Sequence, residues 1–153
     1  MTYDHTQKSP LYLILLLPAV VVMVSVVVAP APPPVFALLM VVEASLIVAA
    51  FSFMHLRVRD QGDYLAVRFG PLPIFRRRIP YVQITGAEAW RSSFLDGWGV
   101  HWMAGRGWIY NLWGFDCVVV HLGAKTFRIG TDDVDGLVGF LKAKVEGCRH
   151  DER

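Results

Sequence analysis

Two uncharged apolar runs, separated by a knot of prolines, leave this chain few ways to fold. Residues 11–29 carry no charge, and residues 35–54 carry one, Glu43. Each is close to the roughly 20 residues that an α-helix needs to cross a hydrocarbon core about 30 Å thick. Between them lies Pro30-Ala31-Pro32-Pro33-Pro34. Consecutive prolines lack backbone donors and clash with the preceding turn, so no helix continues through them. A link this short makes the two helices antiparallel neighbours, and the pattern predicts a transmembrane helical hairpin over residues 11–54. Ala29-Pro30-Ala31 resembles a small-residue signal cleavage site. Pro32, just past the cut, argues against cleavage, and so does the length of the run.

Flanking cations set the expected orientation. The proline link has no Lys or Arg, whereas Lys8 precedes the first run and Arg57, Arg59 and Arg68 follow the second. Cytoplasmic flanks carry the cationic excess, so both termini are expected in the cytoplasm of a cell whose inner or plasma membrane is crossed twice. Two residues break the apolar rule inside the spans. Pro18 is expected to bend the first helix. Glu43 is costly in lipid and therefore a functional candidate, with Ser25 its nearest polar candidate on the first helix. Two readings of Glu43 stand: a protonated carboxyl in a structural or oligomeric contact, and the lining of a polar path in a small transport or channel component.

Beyond residue 54 the pattern turns to period-two alternation. Leu56 and Val58 alternate with Arg57 and Arg59, which suits a half-buried strand. Gln61-Gly62-Asp63 marks a turn into a strand over 64–69. Further strands are expected over 74–79, 81–90, 117–122 and 126–129, the last two joined across Gly123-Ala124. In that final hairpin Val118, Val120 and Leu122 are expected to face the core, with Cys117, Val119 and His121 opposite. Thr131 is a candidate N-cap for a closing helix, with Asp132, Asp133 and Asp135 in its first turn. Val134, Leu137, Val138, Leu141 and Val145 recur at helical spacing, and Gly147 is the expected stop. The expected division is a cytoplasmic tail over 1–10, the hairpin over 11–54 (11–29 and 35–54), a domain over 55–146 and a polar tail over 147–153. Cys117 and Cys148 have no metal-ligand spacing and read as free thiols in a reducing compartment.

Several stretches together resemble the bacterial pleckstrin-homology-like proteins that carry a membrane hairpin: Val67-Arg68-Phe69-Gly70, Arg78-Ile79-Pro80, Gly97-Trp98-Gly99-Val100, Tyr110-Asn111-Leu112 and Phe127-Arg128-Ile129-Gly130-Thr131-Asp132-Asp133. The resemblance covers roughly residues 55–146. It implies an α+β protein in which a seven-stranded, two-sheet antiparallel barrel or roll is closed by the C-terminal helix. It brings no catalytic mechanism, because such membrane-attached relatives mostly lack an assigned activity.

The chain has no P-loop, GxSxG, HExxH or clustered His and Cys ligands. The expectation is therefore a non-enzyme that needs no cofactor or metal, with an unrecognised site built from Asp96, His101 and Arg106 as the distant alternative. Residues 92–115 concentrate Phe94, Trp98, Trp102, Trp108, Tyr110, Trp113 and Phe115 among glycines. Most of these rings are expected in the core, with Trp98 and Trp102 the candidates for a membrane or partner contact. Arg57, Arg59, Arg68, Arg76, Arg77, Arg78 and Arg91 outnumber Asp60, Asp63 and Glu88 between the hairpin and that segment. They read either as a positive flank with ordinary exposed strand faces or as a surface for anionic lipid. The function expected is a membrane-anchored interaction module whose partner is anionic lipid, a membrane protein or a second copy. Its candidate residues are Arg57, Arg59, Arg76, Arg77, Arg78, Trp98 and Trp102. Nucleic acid is not expected, since no basic helix or RNA-binding strand signature accompanies the charge.

Overall fold

The computed structural model describes residues 2–29, 31–72, 74–93 and 97–151, with side chains described through residue 147. The two apolar runs form helices α1 (Leu11–Val28) and α2 (Pro33–Ser52), packed on one another. Pro33 opens α2, where its missing N–H costs nothing. Small residues let the backbones approach: Ala19 of α1 and Ala50 of α2 are buried, while most of the remaining apolar surface is exposed. Both helices are long and apolar enough to cross a membrane.

The rest of the chain is mixed α and β. One sheet has the order β1-β2-β3-β4, formed by β1 (Asp4–Lys8), β2 (His55–Asp60), β3 (Tyr64–Phe69) and β4 (Arg76–Pro80). The other has the order β5-β8-β9-β7-β6, formed by β5 (Gly86–Arg91), β6 (Gly99–Met103), β7 (Gly107–Asn111), β8 (Asp116–Leu122) and β9 (Lys125–Gly130). The core lies between the sheets. Leu56 and Val58 enter it from β2, Leu65, Val67 and Phe69 from β3, Val118 and Val120 from β8, and Phe127 and Ile129 from β9. Each such burial stabilises the fold by roughly 1.5–3 kcal/mol. Helix α3 (Val134–Asp151) lays Leu137, Phe140, Leu141 and Val145 on this core and packs chiefly on β5.

Several expectations are corrected here. The strands form two separate sheets, with no ladder joining them among the described residues, so the closed barrel is not found. The β7–β9 pair is parallel rather than antiparallel. The tail expected over 1–10 contains β1, held by its ladder to β2 and by Tyr3, which stacks on Phe140 at 5.4 Å and donates to Asp133. Asp4-His5-Thr6-Gln7-Lys8 has no apolar alternation, so nothing local announced a strand; its pairing comes from the backbone. The strand expected from residue 74 begins at Arg76, and the one expected over 81–90 opens with a 3-10 turn, Tyr81–Gln83. Helix α3 runs through Gly147 into the segment expected as a polar tail. Cys117 and Val119 are buried like their inward neighbours. Their face of the sheet carries Ile109, and Arg128 extends towards the Trp90 ring, 5.9 Å away.

Candidate functional site

The outer face of the β1–β4 sheet is built by period-two alternation. With Leu56, Val58, Leu65 and Val67 turned into the core, Arg57, Arg59, Ala66 and Arg68 must turn outward. Register does the rest: Arg57 stands opposite Arg68, and Arg68 opposite Arg76. The next row is Asp4, Arg59, Ala66 and Arg78. Like charges directly opposite on neighbouring strands destabilise a sheet. Here three arginines stand in one unbroken row.

Asp4 is the carboxylate on this face among the described residues. It accepts from Arg57 Nε at 2.8 Å and Nη2 at 2.5 Å, and Arg59 Nε lies 3.4 Å away. The Arg57 hydrogen bond holds the Asp4 carboxyl below its ordinary range. Arg78 lies over the Tyr64 ring, 5.2 Å from its centroid. Arg68 and Arg76 have no acidic partner among the described residues. Together with Gln61, Tyr64 and Ala66 the arginines line a cleft of about 270 Å³. Ala66, a small side chain among the long arginines, lines it from β3. Nearby His55 is pushed below the ordinary histidine range, first by burial and then by Arg57, Lys8 and Arg68. Such a face can hold a multiply charged anion by charge-assisted, bidentate hydrogen bonds.

All five arginines named from sequence as candidates line the cleft. Arg57, Arg59, Arg76 and Arg78 do so from outward strand positions, and Arg77 from the alternate one. Arg77 stands opposite the inward-facing Val67 and near Tyr110, whose hydroxyl burial pushes up and Arg77 opposes. Arg76 and Arg78 share one face of β4 and Arg77 takes the other, because a strand sends neighbours to opposite faces. Arg68 completes the row. Tyr64 and Asp4 were missed as site residues; strand register, fixed only by pairing, is what brings them in.

The aromatic segment divides differently from the expectation. Tyr110 is buried and Trp113 packs against the core, but Trp98, Trp102, Trp108 and Phe115 are exposed. Trp102 and Trp108 stand opposite each other across β6 and β7. Trp98 packs on Trp113 with ring centroids 4.6 Å apart and donates Nε1–H to the Gly114 carbonyl. Of the alternative catalytic trio, Asp96 lies outside the described residues. His101 sits in β6 and Arg106 in the β6–β7 turn, its carbonyl accepting from Thr126 and Arg128. No group of three His, Cys, Asp or Glu side chains that could hold a metal occurs among the described residues.

Glu43 is buried against α1, and its Oε2 has no hydrogen-bond partner. Counting equal rises from the proline link places it level with Pro18, not with Ser25. Ser25 is exposed and donates back to the Val21 carbonyl.

No family model matches the chain, and no curated protein or solved structure matches it either. What the fold defines is an α+β domain of two sheets and a C-terminal helix, carried on two N-terminal apolar helices.

Proposed function

We propose that the protein is a membrane-anchored interaction module whose arginine-lined cleft binds anionic lipid headgroups at the cytoplasmic face of the inner or plasma membrane. The observation that carries this reading is the in-register row Arg57–Arg68–Arg76, a repulsive arrangement that one carboxylate on the face cannot neutralise. The cationic excess after α2 supports a cytoplasmic position for the domain. Strand β2 starts three residues after α2 ends, and the arginine row lies two residues beyond His55. At about 3.4 Å per residue the row is about 7 Å past His55, comparable with the depth of the headgroup layer. Near an anionic leaflet each such cation contributes about 1 kcal/mol. The pleckstrin-homology resemblance is consistent with a binding module, though likeness of fold alone is weak support for function.

The test uses the full-length chain in native membranes with a photo-crosslinking amino acid at Ala66, in the cleft lining. A lipid adduct that disappears when Arg68 and Arg76 are changed to Gln is expected. A specific protein band at Ala66 instead would overturn the lipid reading and identify a protein partner, or a second copy if the band has twice the mass.

A second reading rests on the unpartnered Glu43 Oε2: a polar path through the membrane in which Glu43 carries a proton or cation. It predicts that Glu43→Gln abolishes a flux with assembly intact. Loss of assembly would place Glu43 among structural contacts.

A further inference from the structure

The end of the β domain nearest the helices is apolar where a soluble domain would be polar. The β3–β4 loop lies there because antiparallel register returns β3 to the start of β2: the Gly70 N–H donates to the His55 carbonyl at 2.7 Å. Gly70 is pressed against the last turn of α2. A Cβ placed on it would stand 2.3 Å from the Phe51 carbonyl oxygen, and its φ of +54° is one that glycine adopts without strain. From this fixed point the loop exposes two aliphatic side chains, Leu72 at 39% and Ile74 at 54%. Behind them Phe75 stacks on Phe53, the residue that ends α2, at 5.9 Å.

The other side of the helix root is similar. Phe53 lies beside Gly99, and the neighbouring Trp98 is partly exposed with its N–H already bonded. Gln7, two residues before Ser9 in the link to α1, donates to the Trp113 carbonyl at 3.0 Å, which ties the Trp98–Trp113 pair to the same end. Lys8, Tyr12, Met54 and His55 line a cleft at the base of the helices. Aliphatic tips, ring bodies with satisfied polar handles, and a lysine beside a helix entry are the groups that settle at the boundary between acyl chains and headgroups.

We infer that Leu72 and Ile74, with Phe53 and Trp98, form a collar that beds the domain into the interfacial layer of the bilayer. The collar rests on the reading of α1 and α2 as membrane spans. It is independent of what fills the arginine cleft. Its occupant is the lipid surface itself, because the collar is continuous with the end of α2 through Phe53 and Gly70. Bedding would fix the tilt of the domain and hold the Arg57–Arg68–Arg76 row at a constant height above the leaflet.

Val82 supplies an internal control. It is 77% exposed and lies at the opposite end of the sheet, next to Tyr81, whose N–H bonds to the Asp63 carbonyl. Exposure alone therefore does not distinguish Ile74 from Val82; position does. In a Cys148→Ser background, which leaves the buried Cys117 as the other thiol, one reporter cysteine at a time at position 74, 82 or 42 (the last on α2) is spin-labelled and the full-length chain is placed in phospholipid nanodiscs. Accessibility to oxygen, which concentrates in lipid, is compared with accessibility to a water-soluble nickel chelate. The inference expects a severalfold higher oxygen-to-nickel ratio at 74 than at 82, approaching that at 42. A lipid value at 42 with equal aqueous values at 74 and 82 would overturn the collar and leave the spans intact. Aqueous values at all three would overturn the spans and the collar with them. Ile74→Asp should move its neighbour, labelled at position 72, towards the aqueous value; no change there would also count against the collar.

Discussion

Replacing Arg68 by Gln should make the protein more stable and a poorer binder of anions. Arg68 stands between Arg57 and Arg76 on adjacent strands, and its guanidinium has no acidic partner among the described residues. Strands lie about 4.8 Å apart, so both repulsive neighbours are close. In bulk water two unit charges at that distance repel by roughly 0.9 kcal/mol. Directly opposed pairs in sheets are worth about 0.2–1 kcal/mol. Removing two such pairs at an exposed position should therefore stabilise the ligand-free protein by about 0.5–1.5 kcal/mol at low salt. For a domain of this size that corresponds to a melting temperature higher by roughly 3–10 °C. The assay is thermal unfolding of the full-length chain in a zwitterionic detergent at two ionic strengths. Salt screens exposed charges, so the gain should shrink as the ionic strength rises. Adding an anionic lipid should then raise the melting temperature of the wild type more than that of Arg68→Gln. A variant that is less stable at low salt, or equally stabilised by anionic lipid, would refute the view of this row as strain kept for binding.

Other perturbations probe the fold around the site. Asp60 is 5% exposed and accepts from Tyr81 Oη at 2.8 Å, the Gly62 N–H at 2.9 Å and Lys144 Nζ at 3.2 Å. Burial raises its carboxyl, but these three donors outweigh it and hold the group below its ordinary range. Because the folded-state value is depressed, the contribution is fully present above the unfolded value of about 3.9 and is lost as pH falls through the folded one. Asp60→Asn should flatten the acid limb of the stability curve, and Lys144→Met should cost about 1–3 kcal/mol at neutral pH in denaturant melts. Gly70→Ala and Gly105→Ala share a positive φ, +54° and +75°, but only the first meets backbone; nothing lies within 4 Å of the second. Gly105→Ala should cost about 1–2 kcal/mol and Gly70→Ala clearly more, read as the difference in melting temperature. Burial pushes the Cys117 thiol up to about 11, so in the folded protein it should resist maleimide at pH 8 and react only after unfolding.

The parts of this molecule that were legible in its sequence are those fixed by local rules. The two apolar helices follow from run length and from prolines that cannot extend a helix. The outward arginines of β2 follow from alternation with Leu56 and Val58, and α3 from the spacing of Leu137, Leu141 and Val145. What was not legible depends on partners distant in the chain. Strand β1 has no apolar pattern and exists because its backbone pairs with β2, 50 residues on. Arg77 looked equivalent to Arg76 and Arg78 until register assigned its face. Trp102 and Trp108 are exposed side by side because β6 pairs with β7 at the edge of its sheet, an order that no window of sequence contains. Asp4, the one carboxylate on the arginine face among the described residues, was hidden by the same long-range pairing.

Native mass spectrometry of the full-length protein, released from vesicles of equal parts phosphatidylcholine and phosphatidylglycerol, tests the central proposal most directly. The account predicts that the wild type retains phosphatidylglycerol in preference to phosphatidylcholine, and that Arg68→Gln/Arg76→Gln loses that preference while remaining folded. Retention of both lipids in equal proportion by the wild type, or an unchanged preference in the double variant, would contradict it.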